Sequence, residues 1–501
     1  MVDRHSLPPA RRSDPRIGVL GWVSLTVLLL GNACVSRSQT TAPQGPVTLR
    51  VGVGGLPQQS PQAGLRQFVA NLSTEGLINL NEDGRARPFL AESWSQAADD
   101  LSLTFELQPR AKFHDGTPIT GVSIAEALKH ALPTAMRAAF EDVDDIEAID
   151  ERRVRIRLRR PSPFVLEALD TTLEKPGKMR VGSGPFIPTD AASETLKSNG
   201  DYYLGRPLVD RIAITPYPSV RTAWAELLRG NLDMLSEVNV DALDSLEGSS
   251  NVSVFSFTRH YQYMIVFSPT AAIFRSAEIR KELSAAIDRD ALVRDALNGR
   301  GIPSSGPVPP RHWALSESAP RFSLNASLAK NLAARHLKFT CLVPADSVYE
   351  RVALAVKQQL AASGVDMQVE EATQEQVVAA ASSSKYEALL GDIISGPSLF
   401  RSYRHFYSKM AFDPQPIYST AIDASLDRIR HARTDDEYRA GVTGFQQAIV
   451  DEPPAIFLVW GERARAVSRR FEVPSPEAGR DVLATLRLWR PVNSQQLASR
   501  N

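Results

Sequence analysis

The sequence predicts an α/β protein that consists of two lobes, each with its own sheet. With 501 residues, the chain is longer than one ordinary domain, and its 43% hydrophobic content is enough for sizeable cores. Two well separated stretches, residues 209–234 and 337–369, each alternate between a strand pattern and a helix pattern. Such units imply parallel strands with right-handed crossovers, so each stretch is expected to build one lobe.

The first unit opens with a strand pattern over residues 209–217 and continues as a helix over 220–229. Gly230 follows, and glycine suits the left-handed backbone position just beyond a helix. A second strand then begins at Leu232. This stretch therefore has the order strand, helix, strand of one β-α-β unit.

The second unit has the same order of strand, helix and strand further along the chain. Residues 337–343 alternate between apolar and polar side chains, and apolar residues then recur at helical spacing over 348–360. Gly364 ends that helix, and residues 365–369 alternate again. Between the two units, apolar residues at helical spacing predict long helices that break near Asp288.

The two ends of the globular part also carry strand signals. Residues 47–53 alternate as a strand, and the glycine-rich segment 52–55 predicts a tight turn after it that could line a pocket. A dinucleotide loop is disfavoured because Pro57 stands where the last glycine of such a loop belongs. Near the other end, the continuous apolar run 455–460 predicts a buried strand that returns to a core.

Alternating arginines over residues 153–159 need an interpretation of their own. Val154, Ile156 and Leu158 alternate with the arginines, so the segment predicts a strand with one face in a core and the other in water. Neighbouring strands are expected to supply acidic partners. Nucleic acid is not expected as a partner, because the chain carries 57 basic and 57 acidic residues.

The N-terminus has the pattern of a targeting segment. Four arginines within residues 1–16 precede an uncharged stretch over 17–31, and small residues lead to Cys34. This pattern predicts that residues 1–34 are the signal peptide of a bacterial lipoprotein, with the lipid on Cys34. The polar segment 35–46 cannot bury apolar surface, so it is expected to be a flexible tether.

One residue leaves alternatives open at this segment. Lipoprotein signals usually carry Leu three residues before the cysteine, and that place holds Gly31 here. A plain signal peptide or a retained membrane helix remains the alternative. The uncharged stretch continues to Val35 and is barely long enough to cross the ~30 Å of a hydrocarbon core.

Motifs for catalysis are missing from the sequence. It contains no Gly-x-Ser-x-Gly elbow, no His-Glu-x-x-His pair and no Gly-rich loop of the phosphate-binding type. The eight histidines show no metal spacing, and even His405, the better ligand candidate, is expected to be a surface or pocket-wall residue. Cys341 alternates with apolar residues and predicts a small buried hydrophobe. We therefore expect no cofactor, no metal and no enzymatic activity.

A series of short motifs, each loose by itself, resembles a known family in order and spacing. Its landmarks are Glu75-Gly76-Leu77, the segment 112–118, the turn 182–186, the stretches 199–207 and 229–233, the helix 280–289, and the end of a helix at 451–454. This series resembles the extracytoplasmic solute-binding proteins of ABC importers, family 5, which includes oligopeptide-, dipeptide- and nickel-binding members. The resemblance covers residues 47–473.

The resemblance implies the large type of periplasmic-binding-protein fold, with two α/β lobes, a hinge and an inserted subdomain. Ligand would sit between lobes that close by hinge motion, and the closed form would deliver it to a membrane permease. The implied division of the chain is lobe I over 47–78, 180–257 and 453–501, the inserted subdomain over 79–179, and lobe II over 258–452.

The chain departs from the family at one position that matters for ligand choice. Peptide-binding members carry an Asp, near a Trp, whose carboxylate pairs with the ligand's α-ammonium. Alignment on Pro397 places Ile393 at the position of that Asp and Leu390 at that of the Trp. Asp392 is one position away, so on an extended segment its side chain would point to the opposite face. We therefore hypothesise that the protein does not hold free peptide N-termini in the usual way.

The resemblance and the residue pattern together give the candidate cleft residues. They are Gly54, Gly55, Leu56, Glu75, Tyr261, Tyr263, Asp392, Ser395, Phe400 and Arg404. Glu75 has two interpretations, since its carboxylate could face the cleft or merely cap local backbone.

The expected partners are a small, peptide-like solute, an ABC permease, and the membrane through a lipid anchor. We expect a monomer on the periplasmic side of the cell envelope. The alternatives are a binding or receptor protein without transport and, less favoured, an enzyme.

Overall fold

The computed structural model describes residues 45–54, 61–189, 194–238, 240–394, 396–410, 416–475 and 481–492. The chain divides into two units, Met1–Gln44 and Gly45–Asn501, and the described residues all belong to the second. The predicted signal peptide, its Cys34 and all but the end of the predicted tether lie outside the described residues. No helix within the described part combines the length and the apolar composition that crossing a membrane requires.

The secondary structure alternates between strands and helices along most of the described chain. The strands are β1 (Thr48–Gly54), β2 (Ile78–Leu80), β3 (Ala86–Pro88), β4 (Ala91–Gln96), β5 (Ser102–Leu107), β6 (Val143–Ala148), β7 (Arg153–Leu158), β8 (Phe186–Pro188), β9 (Thr195–Ser198), β10 (Arg211–Tyr217), β11 (Met234–Val238), β12 (Val252–Phe267), β13 (Gly301–Pro303), β14 (Lys338–Pro344), β15 (Asp366–Ala372), β16 (Ala388–Ile394), β17 (Ala455–Ser468), β18 (Phe471–Glu472) and β19 (Arg490–Pro491). The α-helices are α1 (Pro61–Ser73), α2 (Gly121–Met136), α3 (Pro163–Ala168), α4 (Val220–Leu228), α5 (Val240–Glu247), α6 (Ala277–Ala285), α7 (Arg289–Ala291), α8 (Ala326–Ala329), α9 (Ser347–Ala362), α10 (Gln374–Ser383), α11 (Leu399–Phe406), α12 (Thr420–Arg430) and α13 (Asp435–Asp451).

Both predicted β-α-β units are confirmed. Strand β10, helix α4 and strand β11 follow one another, and β10 and β11 both pair in parallel with β1, which lies between them. Strands β14 and β15 pair directly and in parallel, with α9 as the crossover. The glycines that follow the two crossover helices, Gly230 and Gly364, have φ angles of 78° and 82°, as the left-handed position requires.

The expectation of two separate sheets differs from the structure in one respect. Strands β12 and β17 are 16 and 14 residues long and pair with each other in antiparallel orientation. Their two ends reach the two parallel groups, so within the described ranges one sheet has the order β15-β14-β16-β12-β17-β11-β1-β10-β9-β8. The length of these two strands is the physical reason that the hydrogen-bond ladders join.

The glycine-rich segment after the first strand is not a turn as far as it is described. Strand β1 continues through Gly54, and the rest of the segment lies outside the described residues. A Cβ atom at Gly52 would stand 2.4 Å from Leu232 Cδ1, and one at Gly54 would stand 2.6 Å from Val220 Cα. The glycines therefore serve the close approach of α4 and its neighbours to the sheet.

The arginine-rich strand is confirmed as a half-buried strand with acidic partners. Strand β7 lies between β5 and β6 in a separate four-stranded sheet, with Val154 and Ile156 fully buried. On its other face, Arg157 pairs with Asp145 and with Glu147, both at 2.8 Å. The neighbouring strand β6 supplies both carboxylates.

Two further local predictions are confirmed. Cys341 is fully buried, and burial raises the pKa of its thiol to about 12, so it behaves as a small hydrophobe. The helical stretch breaks near Asp288 as expected, since α6 ends at Ala285 and Asp288 caps α7, but the predicted long helices are short, with 9 and 3 residues.

The hydrophobic cores do not follow the predicted domain limits one to one. One core lies under the sheet around β1 and β10, another under β14 and β15. A third extends over residues 77–173 and continues without a break into residues 399–457. The predicted subdomain thus shares its core with the last helices of predicted lobe II, and the domain limits stay a prediction.

Candidate functional site

The two long strands change register twice within a few residues, between Thr258 and Gln262 and between Tyr263 and Met264, where they pass from one parallel group to the other. Residues 252–258 of β12 pair with residues 462–468 of β17, and from Gln262 onward β12 pairs with Trp460 and the residues before it. Three residues of β12 thus stand opposite the single Gly461. Such an irregularity bends a strand pair and increases its local twist, so the direction of the ladder changes at this level.

A cluster of charges lies at the same level and joins three strands. Arg463 of β17 is half-buried, and its Nε atom lies 3.3 Å from Glu237 Oε1 of β11. Its Nη2 atom lies 3.8 Å from Asp392 Oδ2 of β16. Burial alone would lower the pKa of Arg463, but Tyr263 and the two carboxylates raise it, so the guanidinium stays charged.

Two tyrosines complete this charged cluster. The rings of Tyr263 on β12 and Tyr349 on α9 meet edge to face, with centroids 5.4 Å apart. Burial and the nearby Asp392 raise the pKa of both phenols, that of Tyr263 to about 12, and Tyr349 is hydrogen-bonded to Asp392. Both phenols therefore stay protonated and can donate hydrogen bonds. The cluster offers two carboxylates, a guanidinium and two aromatic rings to a polar ligand.

The structure brings two of the predicted cleft residues together directly. Tyr263 and Asp392 are cross-strand neighbours in the β12–β16 ladder, and one step along the same ladder Gln262 pairs with Ile393. Tyr261 stands opposite Ile394 in that register. The side chains of Tyr261 and of Ile393, together with residues Gly55, Leu56 and Ser395, lie outside what the structure describes.

Gly54 and Glu75 lie on other elements, each in a well-defined environment. Gly54 is the last residue of β1 and packs against the start of α4. Glu75 is only 2% exposed, and its carboxylate accepts hydrogen bonds from the hydroxyls of Ser183 at 2.7 Å, Tyr202 at 2.6 Å and Tyr203 at 3.2 Å. Burial raises the pKa of Glu75 to about 7 in spite of these three donors. In this structure its carboxylate ties hydroxyls of distant segments together.

Phe400 and Arg404 lie on helix α11, which packs against the predicted subdomain. The ring of Phe400 is buried, 5.8 Å from that of Phe164 between centroids. Arg404 is half-buried, and its Nε atom has no hydrogen-bond partner among the described residues. Burial and the nearby guanidinium groups of Arg401 and Arg137 lower the pKa of Arg404. A ligand anion would relieve this crowding of positive charge.

Sequence reasoning missed three members of the charged cluster, Glu237, Tyr349 and Arg463. The only local signal was the charged pair 462–463 directly after the apolar run of β17. His405 is not a surface residue, because its side chain is buried, and burial lowers its pKa to about 3. Among the described residues, no group of three or more His, Cys, Asp and Glu side chains could hold a metal ion.

The sequence of this chain matches a known protein family. The family model of the bacterial extracellular solute-binding proteins, family 5, matches residues 85–411. The chain belongs to this family. The predicted family membership and the large bilobal α/β fold class are thereby confirmed, and the members of family 5 are binding proteins of the extracytoplasmic space.

A curated relative in family 5 is the glutathione-binding protein GsiB of Shigella flexneri. It is 29% identical over 268 residues, which is 49% of this chain and 52% of GsiB. The alignment thus spans about half the length of that relative.

Solved structures of family 5 share the fold over nearly their whole length. NikZ of Campylobacter jejuni, solved in complex with Ni(L-His), is 19% identical with a TM-score of 0.78, over 88% of this chain and 99% of NikZ. The oligopeptide-binding protein AppA of Bacillus subtilis, solved with a nonapeptide, is 20% identical with a TM-score of 0.75, over 90% of this chain and 100% of AppA.

Proposed function

We propose that the protein is the solute-binding component of an ABC importer, which captures a small, peptide-like polar solute and delivers it to a membrane permease. The observation that carries the proposal is the charged cluster of Glu237, Asp392 and Arg463 at the level where β12 and β17 change register. A ligand bound there touches strands from both halves of the sheet. Its binding energy can then favour the closed arrangement over the open one.

The polar residues favour a ligand that carries charges of both signs. Asp392 and Glu237 can accept hydrogen bonds from amide groups or from a cationic group other than the α-ammonium, whereas Arg463, and separately Arg404, can bind a carboxylate. The ligands named for the three relatives, glutathione, a nonapeptide and nickel with histidine, all combine amino-acid carboxylates with nitrogen donors. A solute of this chemistry, bound with micromolar affinity, corresponds to about −8 kcal/mol.

The position of Asp392 bears on how such a solute would be held. Asp392 lies opposite Tyr263 and beside Arg463, on the face of β16 that carries the cluster, whereas the neighbouring Ile393 has no charge. An ammonium group that loses its water needs a carboxylate partner. We therefore infer that a free peptide N-terminus is not the main anchor.

Calorimetric titration with tri- to pentapeptides tests the binding mode. We expect acetylation of the α-amine to change the affinity of a bound peptide by no more than about twofold, because no ammonium contact is lost. Tight binding that disappears on acetylation would contradict the inferred mode and leave the transport proposal standing.

Thermal unfolding with candidate solutes tests capture itself. A ligand present at 100 times its dissociation constant adds about 2.7 kcal/mol to the free energy of unfolding. Asp392→Asn should weaken binding about tenfold, since a charge-assisted hydrogen bond is lost, whereas the exposed Asp436→Asn should not. Small-angle scattering should show a smaller radius of gyration with ligand. A protein that binds no amino-acid derivative or peptide, and keeps its radius, would overturn the proposal.

A binding or receptor protein without transport is the alternative function. Both functions need the same cleft, so ligand binding alone does not distinguish them. The experiment therefore has to measure transport through the permease. Uptake of the bound solute by a strain that carries the gene and its neighbouring permease genes supports transport. Binding without uptake supports the receptor.

We also propose that the mature protein is a monomer held at the membrane by a lipid on Cys34. The support is the arginine-rich start, the uncharged stretch and the cysteine that follows it. Radiolabelled palmitate should be incorporated by the natural protein and not by Cys34→Ser. Light scattering of the soluble part should give the mass of one chain.

A further inference from the structure

A second cavity lies apart from the charged cluster, between the predicted subdomain and helix α13. Its volume is about 300 Å³, at the lower end of the range for small-molecule sites. One wall comes from the subdomain and consists of Trp94, Leu103, Leu158, Pro161, Pro163 and Leu166. Trp313 and Tyr438 also line the cavity. Many of the lining side chains are apolar or aromatic, which suits an aromatic ring.

The aromatic side chains of this cavity are held in place by their neighbours. Trp94 packs against Phe105, with ring centroids 6.3 Å apart, and Trp313 packs against Tyr438 at 4.9 Å. The guanidinium of Arg85 lies 3.7 Å above the Trp313 ring. Since this face of Trp313 already carries a cation, the cavity does not offer it to a cationic ligand.

A buried hydroxyl in the cavity wall has no hydrogen-bond partner. Ser162 lines the cavity and is 5% exposed, and its Oγ atom makes no hydrogen bond with any described residue. It precedes helix α3 but does not cap it. Buried hydroxyls are normally satisfied, so an unsatisfied one beside an empty volume points to a ligand that supplies the missing partner.

The charges around the cavity favour an anion. Arg85 is paired with Asp435 through two hydrogen bonds of 3.2 and 2.6 Å. Glu167 is saturated, since it accepts hydrogen bonds from the hydroxyls of Ser398 and Tyr438 and from the Phe400 N–H. By contrast, the side chain of Arg433, at the rim, has no ion-pair partner among the described residues. The unused polar groups are therefore a hydroxyl and a guanidinium.

We propose that this cavity is a second binding site, which takes a small planar aromatic carboxylate. The ring would lie against the indole of Trp94 and the apolar side chains beside it, and the carboxylate would accept hydrogen bonds from Ser162 and Arg433. The site is separate from the cleft of the proposed function and does not depend on it. Because its walls come from the predicted subdomain and from α13, an occupied site would also hold these two parts together.

Calorimetric titration of the full chain tests the site, with benzoate and indole-3-acetate as probes. Indole and tryptamine serve as the neutral and the cationic comparison. We expect at least one carboxylate to bind about tenfold more tightly than tryptamine. Ser162→Ala should weaken its binding about fivefold, and Arg433→Gln about threefold. Ala86→Phe, which fills the cavity, should abolish it.

Control variants separate this site from others. Trp224→Leu changes a tryptophan on α4, outside the cavity, and Asp392→Asn changes the cleft, so both should keep the affinity for the carboxylate. Thermal melting shows which variants are folded. If Ala86→Phe is unfolded, Ser162→Ala serves as the cavity variant in its place. The proposal is overturned if neither carboxylate binds to folded protein at millimolar concentration, if tryptamine binds more tightly, or if every folded variant among Ser162→Ala, Arg433→Gln and Ala86→Phe binds as the parent does.

Discussion

At the scale of single residues, buried ionisable side chains join segments that are distant in the sequence. Glu75 illustrates it, because hydroxyls from Ser183, Tyr202 and Tyr203, more than 100 positions away, converge on one carboxylate. The sequence left Glu75 with two interpretations, cleft residue or local cap. Its role as a ligand residue stays a prediction, while the structure gives it partners that neither interpretation included.

The raised pKa of Glu75 predicts a pH dependence of stability. The folded-state pKa is about 7 and the unfolded value is 4.5, so the folded state holds the proton more tightly. This contribution is fully present below pH 4.5 and is lost as the pH rises to about 7, with a total of about 3 kcal/mol. Chemical denaturation at pH 5, 6, 7 and 8 should show this decline.

The variant Glu75→Gln checks the assignment. Its stability should fall less between pH 5 and 8, because its side chain cannot ionise, and the remaining decline belongs to Glu82 and Glu167, whose pKa values burial also raises. The exposed Glu317→Gln should keep the parent profile. An unchanged profile in Glu75→Gln would show that Glu75 does not titrate in this range.

At the scale of elements, the part of the large sheet around β1 depends on close contact between β1 and α4. The apolar alternation of β1 and the spacing of α4 were readable in the sequence, but their distance was not. The absence of a side chain at Gly54 allows the backbone of Val220 to lie against the strand. The predicted turn was misplaced because glycine signals both turns and close approaches, and only the packing distinguishes them.

Gly54→Ala should therefore destabilise the protein. The new Cβ would stand 2.6 Å from Val220 Cα and 2.8 Å from the Ser219 carbonyl oxygen, and backbone cannot move aside as a side chain end can. We expect a loss of about 2–3 kcal/mol in the free energy of unfolding, measured in urea. Gly200→Ala is the matched control, since nothing lies within 4 Å of its Cβ position. Equal stability of the two variants would contradict the packing argument.

At the scale of the whole molecule, the predicted subdomain and the last helices of predicted lobe II are joined by one core and by buried ion pairs. Arg430 of α12 and Asp142 are 1% and 0% exposed, and the Arg430 Nε atom donates to Asp142 at 2.6 Å. Arg430 also donates to the Tyr403 hydroxyl at 2.8 Å. Because of these contacts and the continuous core, we expect the two segments to unfold as one unit.

Arg430→Met should cost about 3 kcal/mol in the free energy of unfolding, because the buried carboxylate of Asp142 loses its buried cationic partner and keeps only the more exposed Arg160 and His431. The control Arg294→Met removes an exposed pair with Asp295 and should cost less than about 1 kcal/mol. Denaturant unfolding followed by fluorescence and by circular dichroism should give coincident transitions for the parent. Separate transitions would show that the two segments unfold independently.

The sequence by itself determined the β-α-β units, the half-buried strand β7 and the family, because each is recorded in local periodicity or in the order of short motifs. Tertiary structure decided which charges meet: Glu237 and Asp392 at Arg463, Asp142 at Arg430, and the hydroxyls at Glu75. The reason is physical. A local pattern shows which side of an element avoids water, whereas the partner of a buried charge is set by the path of the chain through space, over separations of more than 70 and up to about 290 residues.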